Sequence, residues 1–254
     1  MKNSAVLFFL AIAVTFSSRA QEIKESDSIQ SDTVKNIRFN YKQLIIPSVL
    51  IGYGAIGIGN GQLKSFNSQL RNEVRENIDK KITIDDFTRY APAVSVYGLN
   101  ALGIEGKNNL RDRSVILLTS QLIMAGTVFG LKSVTNIERP DRSDNNSFPS
   151  GHTATAFAGA EFLWQEYKDK SIWYGIAGYA VAAGTGAFRI YNDKHWLTDV
   201  TAGAGIGILS TKIAYWINPY LTRTLFKDKD KKTASMIMPS YDGTHFGIGF
   251  ARTF

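Results

Sequence analysis

Residues 114–131 read Ser-Val-Ile-Leu-Leu-Thr-Ser-Gln-Leu-Ile-Met-Ala-Gly-Thr-Val-Phe-Gly-Leu, an apolar run without a charged side chain. Similar runs occur along the rest of the chain, at Gln43–Leu63, Tyr90–Ile104, Ser171–Phe188 and Val200–Thr211, and at Thr153–Leu163, where only Glu161 is charged. Charged loops separate the runs, a pattern typical of helices that traverse one core in alternating directions. We therefore predict an all-α fold built as a six-helix antiparallel bundle.

The composition narrows the chemistry before any motif is considered. The chain has 254 residues, of which 44% are hydrophobic and 20% charged, enough for one domain with short appendages. The absence of cysteine excludes a disulfide framework, Cys-ligated zinc, an iron–sulfur cluster and a thiol nucleophile. Only three histidines are present, which also excludes a His-rich metal site, and we expect no cofactor. The net charge of +7 favours anionic partners such as phosphates, nucleic acid or an acidic membrane surface.

The two ends of the chain differ from its middle. Near the start, Lys2 precedes an apolar run over Ala5–Phe16, and the small residues Ser18 and Ala20 follow, a pattern typical of a cleaved export signal. An uncleaved anchor is the alternative. The boundaries we predict are 1–20 for the signal peptide, 21–41 for a flexible leader, 42–222 for the helical domain and 223–254 for a charged linker with a short C-terminal β-hairpin.

The expected hairpin rests on alternation around a turn. Asp242-Gly243 is a favoured turn pair, and it separates Ser235–Tyr241 from Thr244–Phe254, where apolar residues alternate. We expect this hairpin to pack on the bundle, with His245 as an ordinary hairpin residue.

A row of apolar residues spaced by four marks one further helix. The row consists of Phe66, Leu70, Val74, Ile78 and Ile82 on an otherwise polar segment. Such a stripe predicts a helix lying on the bundle, with a membrane-surface helix as the alternative.

Three segments carry the polar chemistry, namely residues 132–140, 149–152 and 189–199. Each lies at a helix junction, and in an up-and-down bundle all three junctions fall at the same end. Lys132, Arg139 and Arg189 supply three cations there, and guanidinium groups suit phosphate oxygens. Ser150 and Gly151 open the fourth helix, whose backbone N–H groups and dipole favour an oxyanion. The sequence therefore predicts a phosphate-sized anion site.

Two histidines fit acid and base work at this anion site. His195 and Asp199 lie four residues apart, on one face of a helix. The carboxylate can hold one imidazole N–H, which leaves the other nitrogen free to attack phosphorus. His152 lies across the anion site and can protonate the leaving oxygen. Attack would form a phosphohistidine that water then hydrolyses.

These motifs resemble the signature of the type 2 phosphatidic acid phosphatase and vanadium haloperoxidase superfamily. The matching positions are Lys132, Arg139, Pro140, Pro149, Ser150, Gly151, His152, Arg189, His195 and Asp199, and the resemblance covers about residues 42 to 218. It implies metal-independent hydrolysis of phosphate esters, with His195 as nucleophile, Asp199 as its partner and His152 as general acid. It also implies phosphate binding by Lys132, Arg139, Ser150, Gly151 and Arg189. One position departs from the family, because Phe188 stands where a serine is usual.

The function we predict is hydrolysis of phosphomonoesters or pyrophosphates. Lipid phosphates, such as phosphatidic acid, an isoprenoid pyrophosphate or lipid A, are favoured over small phosphate esters. Three alternatives stay open: a soluble periplasmic acid phosphatase of broad specificity, a vanadate-dependent haloperoxidase, and a non-catalytic envelope binding protein. Nucleic acid is not an expected partner, because the basic residues are scattered.

The expected location follows from the signal and from the length of the apolar runs. Most runs are short for a membrane core of about 30 Å, and the mean hydropathy is −0.10. We therefore expect export to the periplasm or cell envelope, as a soluble or peripheral protein in contact with the membrane surface rather than an integral one.

Overall fold

The computed structural model describes residues 40–76 and 83–226, together with the backbone of two strands at 235–241 and 246–252. Several predictions lie outside the described residues: the signal peptide, all but the last two residues of the leader, Ile78, Ile82, most of the charged linker, the turn pair Asp242-Gly243 and His245.

The described residues form a helical bundle and one antiparallel pair of strands. A 3₁₀ turn at Tyr41–Leu44 leads into α1 (Ile45–Gly59), α2 (Gly61–Glu76), α3 (Asp85–Thr88), α4 (Ala91–Ala101), α5 (Leu110–Thr135), α6 (Gly151–Tyr167), α7 (Ile172–Tyr191) and α8 (Leu197–Leu225). The helical class is confirmed, but a bundle of only six helices is wrong. Two more helices accompany those of the apolar runs. Helix α2 contains Phe66, Leu70 and Val74 of the predicted apolar stripe and packs on α1, α7 and α8, whereas the single turn α3 was not predicted.

Two strands follow the last helix. They are β1 (Ser235–Tyr241) and β2 (Phe246–Arg252), and they pair antiparallel with Met238 opposite Gly249. They occupy the segments in which alternating apolar residues predicted strands. The packing of the hairpin on the bundle stays a prediction.

Helix α6 is the most enclosed helix of the described bundle. It packs against α4, α5, α7 and α8, and α8 in turn packs against α1 and α5. The main core cluster joins α4, α5, α6 and α8 through Val96, Ile116, Phe162, Leu163, Tyr167, Ala214 and Tyr215. Helices α6 and α8 begin in two of the three motif segments, so the core holds those segments against each other.

Local capping sets the junctions around the motifs. Helix α5 ends at Asn136, whose φ of 50° places it in the left-handed region that terminates helices. Helix α6 begins at Ser150, whose side chain accepts a hydrogen bond from the N–H of Thr153. The chain between these caps is the loop that carries Arg139.

Long apolar helices correct the expected location. Three helical segments are long and apolar enough to cross a membrane: Tyr41–Gly59, Leu110–Thr135 and Leu197–Leu225. The last two of these segments are longer than the apolar runs they contain, because flanking charged residues such as Arg111 and Lys132 are helical too. The 26 residues of α5 give it a length of about 39 Å, and its Leu118 and Phe129 are 62% and 72% exposed. The expectation of a soluble or peripheral protein is therefore wrong, because these are features of an integral membrane protein.

Candidate active site

Backbone hydrogen bonds join the three motif segments at one end of the bundle. The N–H of Ser150 donates to the carbonyl of Asp199 at 3.0 Å, which ties the start of α6 to the start of α8. The N–H of Ser147 donates to the carbonyl of Ile137 at 2.9 Å, which closes the loop after α5. The last segment is fixed to this loop by Trp196, whose indole N–H donates to the Glu138 carbonyl at 3.0 Å.

His195 and Asp199 form a buried pair. His195 is 3% exposed and Asp199 is 1% exposed, and Nδ1 of the histidine lies 3.6 Å from Oδ2 of the aspartate. That separation exceeds a hydrogen bond, and Oδ2 instead accepts from the Ser147 hydroxyl and from the Trp196 N–H. The carboxylate is thus fixed by its neighbours and faces the imidazole without closing on it.

Burial sets the protonation state of His195. Removal from water lowers the pKa of His195 to about 4, although the nearby Asp199 carboxylate acts in the opposite direction. The cations of Lys132 and Arg189 also lower this pKa. The imidazole is therefore neutral at pH 7, which is the form that has a lone pair for nucleophilic attack.

His152 lies in the first turn of α6 and contacts two charged groups that the sequence analysis did not identify. Its Nε2 atom lies 2.8 Å from Oδ1 of Asp86 and 3.0 Å from Nη1 of Arg89. Burial lowers the pKa of His152, the Arg189 and Arg89 cations lower it further, and Asp86 opposes them. This histidine is 22% exposed in its side chain, so it reaches the surface of the site.

Arg189 is anchored by a third unpredicted residue. Its Nη1 donates to Oδ2 of Asp85 at 2.6 Å, with the carboxylate side chain only 1% exposed. The other oxygen of Asp85 accepts from Asn192 at 3.1 Å. Arg189 Nε is buried without a hydrogen-bond partner among the described residues. Asp85 thus holds the guanidinium through Nη1, while the N–H at Nε can still donate a hydrogen bond.

The other two predicted cations line a pocket of about 390 Å³ with Phe129, Ser133 and Asn146. The ammonium of Lys132 donates to the Asn146 carbonyl, and Arg139 Nη2 lies 3.8 Å from the Asp144 carboxylate. Arg139 Nε is buried and has no hydrogen-bond partner in the described part of the chain. Donors of this kind, held on a loop and a helix end, suit an oxyanion.

Ser150 and Gly151 occupy the N-terminus of α6 in different ways. The N–H of Ser150 is already bonded to the Asp199 carbonyl, so it is not a free donor as the sequence analysis expected. At Gly151, an added Cβ would meet only Val128, at 3.6 Å, an ordinary contact. Packing does not require glycine there, and the absent side chain leaves the helix N-terminus open to an anion.

Asp85, Asp86 and His152 place ligand atoms within 4.8 Å of one another, a spacing that suits a metal ion. However, Asp85 is paired with Arg189, and Arg89 contacts the only imidazole of the group. The guanidinium groups of Arg189 and Arg89 lie within 3.0 Å of atoms of this cluster, and their positive charges repel a metal cation. We assign no metal to this cluster.

Residues 113–223 match the family model described as the PAP2 superfamily. This chain is similar to the PAP2 superfamily over that segment, which is 111 of its 254 residues. It is 34% identical over 171 residues to the lipid A 1-phosphatase of Porphyromonas gingivalis, a match that covers 64% of this chain but only 38% of that protein. It is 25% identical to the lipid A 4'-phosphatase of Helicobacter pylori, over 66% of this chain and 82% of the relative.

Among solved structures, this chain is similar to a transmembrane PAP2-type phosphatidylglycerolphosphate phosphatase from Bacillus subtilis. It is 18% identical, the match covers 76% of this chain and 99% of that one, and the TM-score is 0.43.

Phe188, the residue that departs from the PAP2 signature, packs among apolar and aromatic side chains. Phe188 packs edge-on against Tyr191, with ring centroids 6.0 Å apart. It also lines an apolar pocket of about 470 Å³ with Leu70 and Val74 of α2. The aromatic ring thus packs in an apolar pocket between α2 and α7.

The segment of residues 85–89 is the part of the site that sequence reasoning missed. A signal for it was available, because the same helix parity that joins the motifs also puts the start of the Tyr90–Ile104 run at that end. Three cations at one bundle end require counter-charges, and Asp85 and Asp86 immediately precede that run. Ser147, which bonds Asp199, carried no comparable signal.

Proposed function

We propose that this protein is a membrane-bound phosphatase that hydrolyses lipid phosphates. One observation carries the proposal: the pocket with Lys132 and Arg139 also includes Phe129, an exposed apolar residue on a helix long enough to cross a membrane. A lipid phosphate presents an anionic head next to an apolar chain. The pocket offers both kinds of contact side by side, whereas a small soluble ester would use only the cations.

The proposed reaction has two steps. Nε2 of His195, the nitrogen remote from Asp199, attacks phosphorus. The bond from phosphorus to the leaving oxygen breaks, and that oxygen takes the proton of His152. Water then attacks the phosphohistidine and gives up its proton to His152, which releases inorganic phosphate and regenerates neutral His195. Lys132, Arg139 and Arg189 balance the charge that develops on the phosphoryl oxygens.

The names of the curated relatives favour one substrate class. Two relatives are lipid A phosphatases that act at different positions, 1 and 4'. We therefore propose a glycolipid phosphate of the lipid A kind, ahead of phosphatidic acid and an isoprenoid pyrophosphate. The alternative of a soluble acid phosphatase is not supported, because the chain has helices of membrane-spanning length.

The test is phosphate release by the detergent-purified chain from lipid A, phosphatidic acid, an isoprenoid pyrophosphate and a soluble aryl phosphate. We expect His195→Ala to lower turnover about a thousandfold or more without loss of folded protein, because it removes the proposed nucleophile. His245→Ala is the matched control, since His245 lies outside all three motifs. EDTA should leave the activity intact, and vanadate should inhibit as a phosphate mimic.

Two results would contradict the proposal. Retained turnover in His195→Ala would remove the assigned nucleophile. Halide oxidation switched on by vanadate, without phosphate release from any of the four substrates, would favour a haloperoxidase instead.

A further inference from the structure

Two groups of opposite charge contact the same nitrogen atom of His152. Oδ1 of Asp86 lies 2.8 Å from Nε2, and Nη1 of Arg89 lies 3.0 Å from it. A protonated Nε2 donates to the carboxylate, whereas an unprotonated Nε2 accepts from the guanidinium. The two hydrogen bonds therefore exclude each other. The imidazolium and the Nε2–H tautomer of the neutral ring bond to Asp86, whereas only a neutral ring with a bare Nε2 can accept from Arg89.

Two further charged groups among the described residues lie near this imidazole and largely compensate one another. They are Asp85, from the same segment, and Arg189 of α7, which are paired at 2.6 Å in a buried salt bridge. Asp86 has no such partner besides His152 within residues 83–226, and its side chain is 50% exposed. Adjacent carboxylates thus differ in role: Asp85 holds a phosphate-binding cation, and Asp86 faces the histidine.

Arg89 is held in place independently of the histidine. Its guanidinium stacks over the Tyr90 ring at 4.6 Å from the centroid. The segment itself is fixed to α7 by the hydroxyls of Thr88 and Thr185, which are 2.9 Å apart. The segment can therefore present both charges to His152 at a fixed position.

We propose that Asp86 and Arg89 are an opposed pair of positioning residues that determine whether His152 holds a proton for the leaving oxygen. This inference rests on the proposed function, in which His152 is the general acid. Asp86 stabilises the imidazolium that donates the proton. Arg89 stabilises the neutral ring that receives a proton from water in the second step. Together they keep His152 able to change state during each turnover.

The two residues must have opposite effects on His152. In Asp86→Asn the loss of the carboxylate destabilises the imidazolium, so the midpoint of His152 titration moves to lower pH. In Arg89→Gln the loss of the cation stabilises it, so the midpoint moves to higher pH. A structural role would shift both variants in the same direction or neither.

Histidine NMR measures these midpoints without requiring turnover. The chain has only three histidines, so His195→Gln and His245→Gln assign the His152 imidazole signals in the full-length, detergent-purified protein. Asp169→Asn and Arg223→Gln, exposed and remote from the motifs, are controls with the same changes of charge. We expect the control midpoints to match the wild type. Shifts of equal sign in Asp86→Asn and Arg89→Gln, or no shift in either, would overturn the proposal.

Kinetics provide the second measurement. At pH above the wild-type midpoint, Asp86→Asn should lower kcat about tenfold for an alkyl phosphate, less than the roughly hundredfold or greater effect of losing a general acid outright. It should change KM little, and it should spare an aryl phosphate whose leaving group needs no proton. If both substrates lose activity equally, the positioning role is wrong. If the wild-type chain hydrolyses no phosphate at all, the proposed function fails, and the NMR midpoints still decide the inference about His152.

Discussion

The imidazole of His195 is 3% exposed, and burial lowers its pKa to about 4. An aspartate normally raises the pKa of a neighbouring histidine, but the Nδ1–Oδ2 distance of 3.6 Å leaves Asp199 outside hydrogen-bond range. The Asp199 carboxylate is occupied by Ser147 and Trp196 instead. Asp199 therefore faces the ring without a hydrogen bond to it, and the buried surroundings keep the imidazole neutral.

This protonation state predicts how activity depends on acid. His195, the nucleophile that we propose, must be unprotonated to attack, and its pKa in the folded protein is about 4. The value of kcat/KM should therefore persist as the pH falls through 6 and 5, and should drop only around pH 4. The measurement is a pH profile with an aryl phosphate, corrected for titration of the substrate and checked for unfolding at each pH. A histidine-dependent loss centred above pH 6 would show that His195 is not held neutral.

Helices α6 and α8 cross at very close range, and this crossing places both histidine segments. An added Cβ at Gly203 would lie 2.5 Å from the carbonyl oxygen of Ser150, and one at Gly207 would lie 2.2 Å from that of Ala154. Backbone oxygens cannot rotate away, so a side chain at either position must push the helices apart. Helix packing therefore requires glycine at both positions, and the close crossing fixes the starts of α6 and α8 relative to each other.

Substitution of Gly207 tests this dependence. Gly207→Ala should destabilise the protein by about 1–3 kcal/mol, the usual range for overpacking, and should also reduce kcat, because the start of α6 moves relative to α8. Gly184→Ala is the matched control: it lies in α7, and an added Cβ there meets no atom within 4 Å. Thermal unfolding in detergent and phosphate release measure the two effects. A stable and fully active Gly207→Ala would show that this crossing does not set the site.

Exposed apolar side chains cover the outside of the bundle, while polar groups lie within it. On α5, Leu118, Leu122 and Phe129 are all more than 60% exposed, and this helix is long enough to cross a membrane. In water such a surface would drive aggregation, whereas lipid chains would cover it. Inside, Glu161 is 1% exposed and is satisfied by Lys212, Gln165 and the Tyr179 hydroxyl.

The whole protein should therefore fractionate with membranes. We expect it to remain in the pellet after washes with high salt and with alkaline carbonate, and to require detergent for extraction. A peripheral membrane protein in the same preparation is the control, since the carbonate wash should release it. Release of this chain by either wash would contradict an integral state.

The helical parity of the chain explains why much of the site was predictable. The predicted site residues lie at two junctions between apolar runs, namely Lys132, Arg139 and His152 at one and Arg189 and His195 at the other. In an up-and-down bundle every second junction lies at the same end, and these two junctions are related in that way. Asp85 and Asp86 lie at the same end of the bundle by the same alternation. The sequence did not single them out, because charged residues before a helix are common and form no motif. The pairing of Asp85 with Arg189 depends on side chains 104 positions apart.

The sequence alone determined the helical class, and it supplied the residues that we propose for phosphate chemistry, since both follow from local composition and spacing. The tertiary structure decided which of these groups are buried, which counter-charges face them and which apolar surfaces stay uncovered. These properties depend on distant segments that meet only in the folded bundle. The protonation of His195, the opposed contacts on His152 and the exposed face of α5 are therefore all consequences of packing.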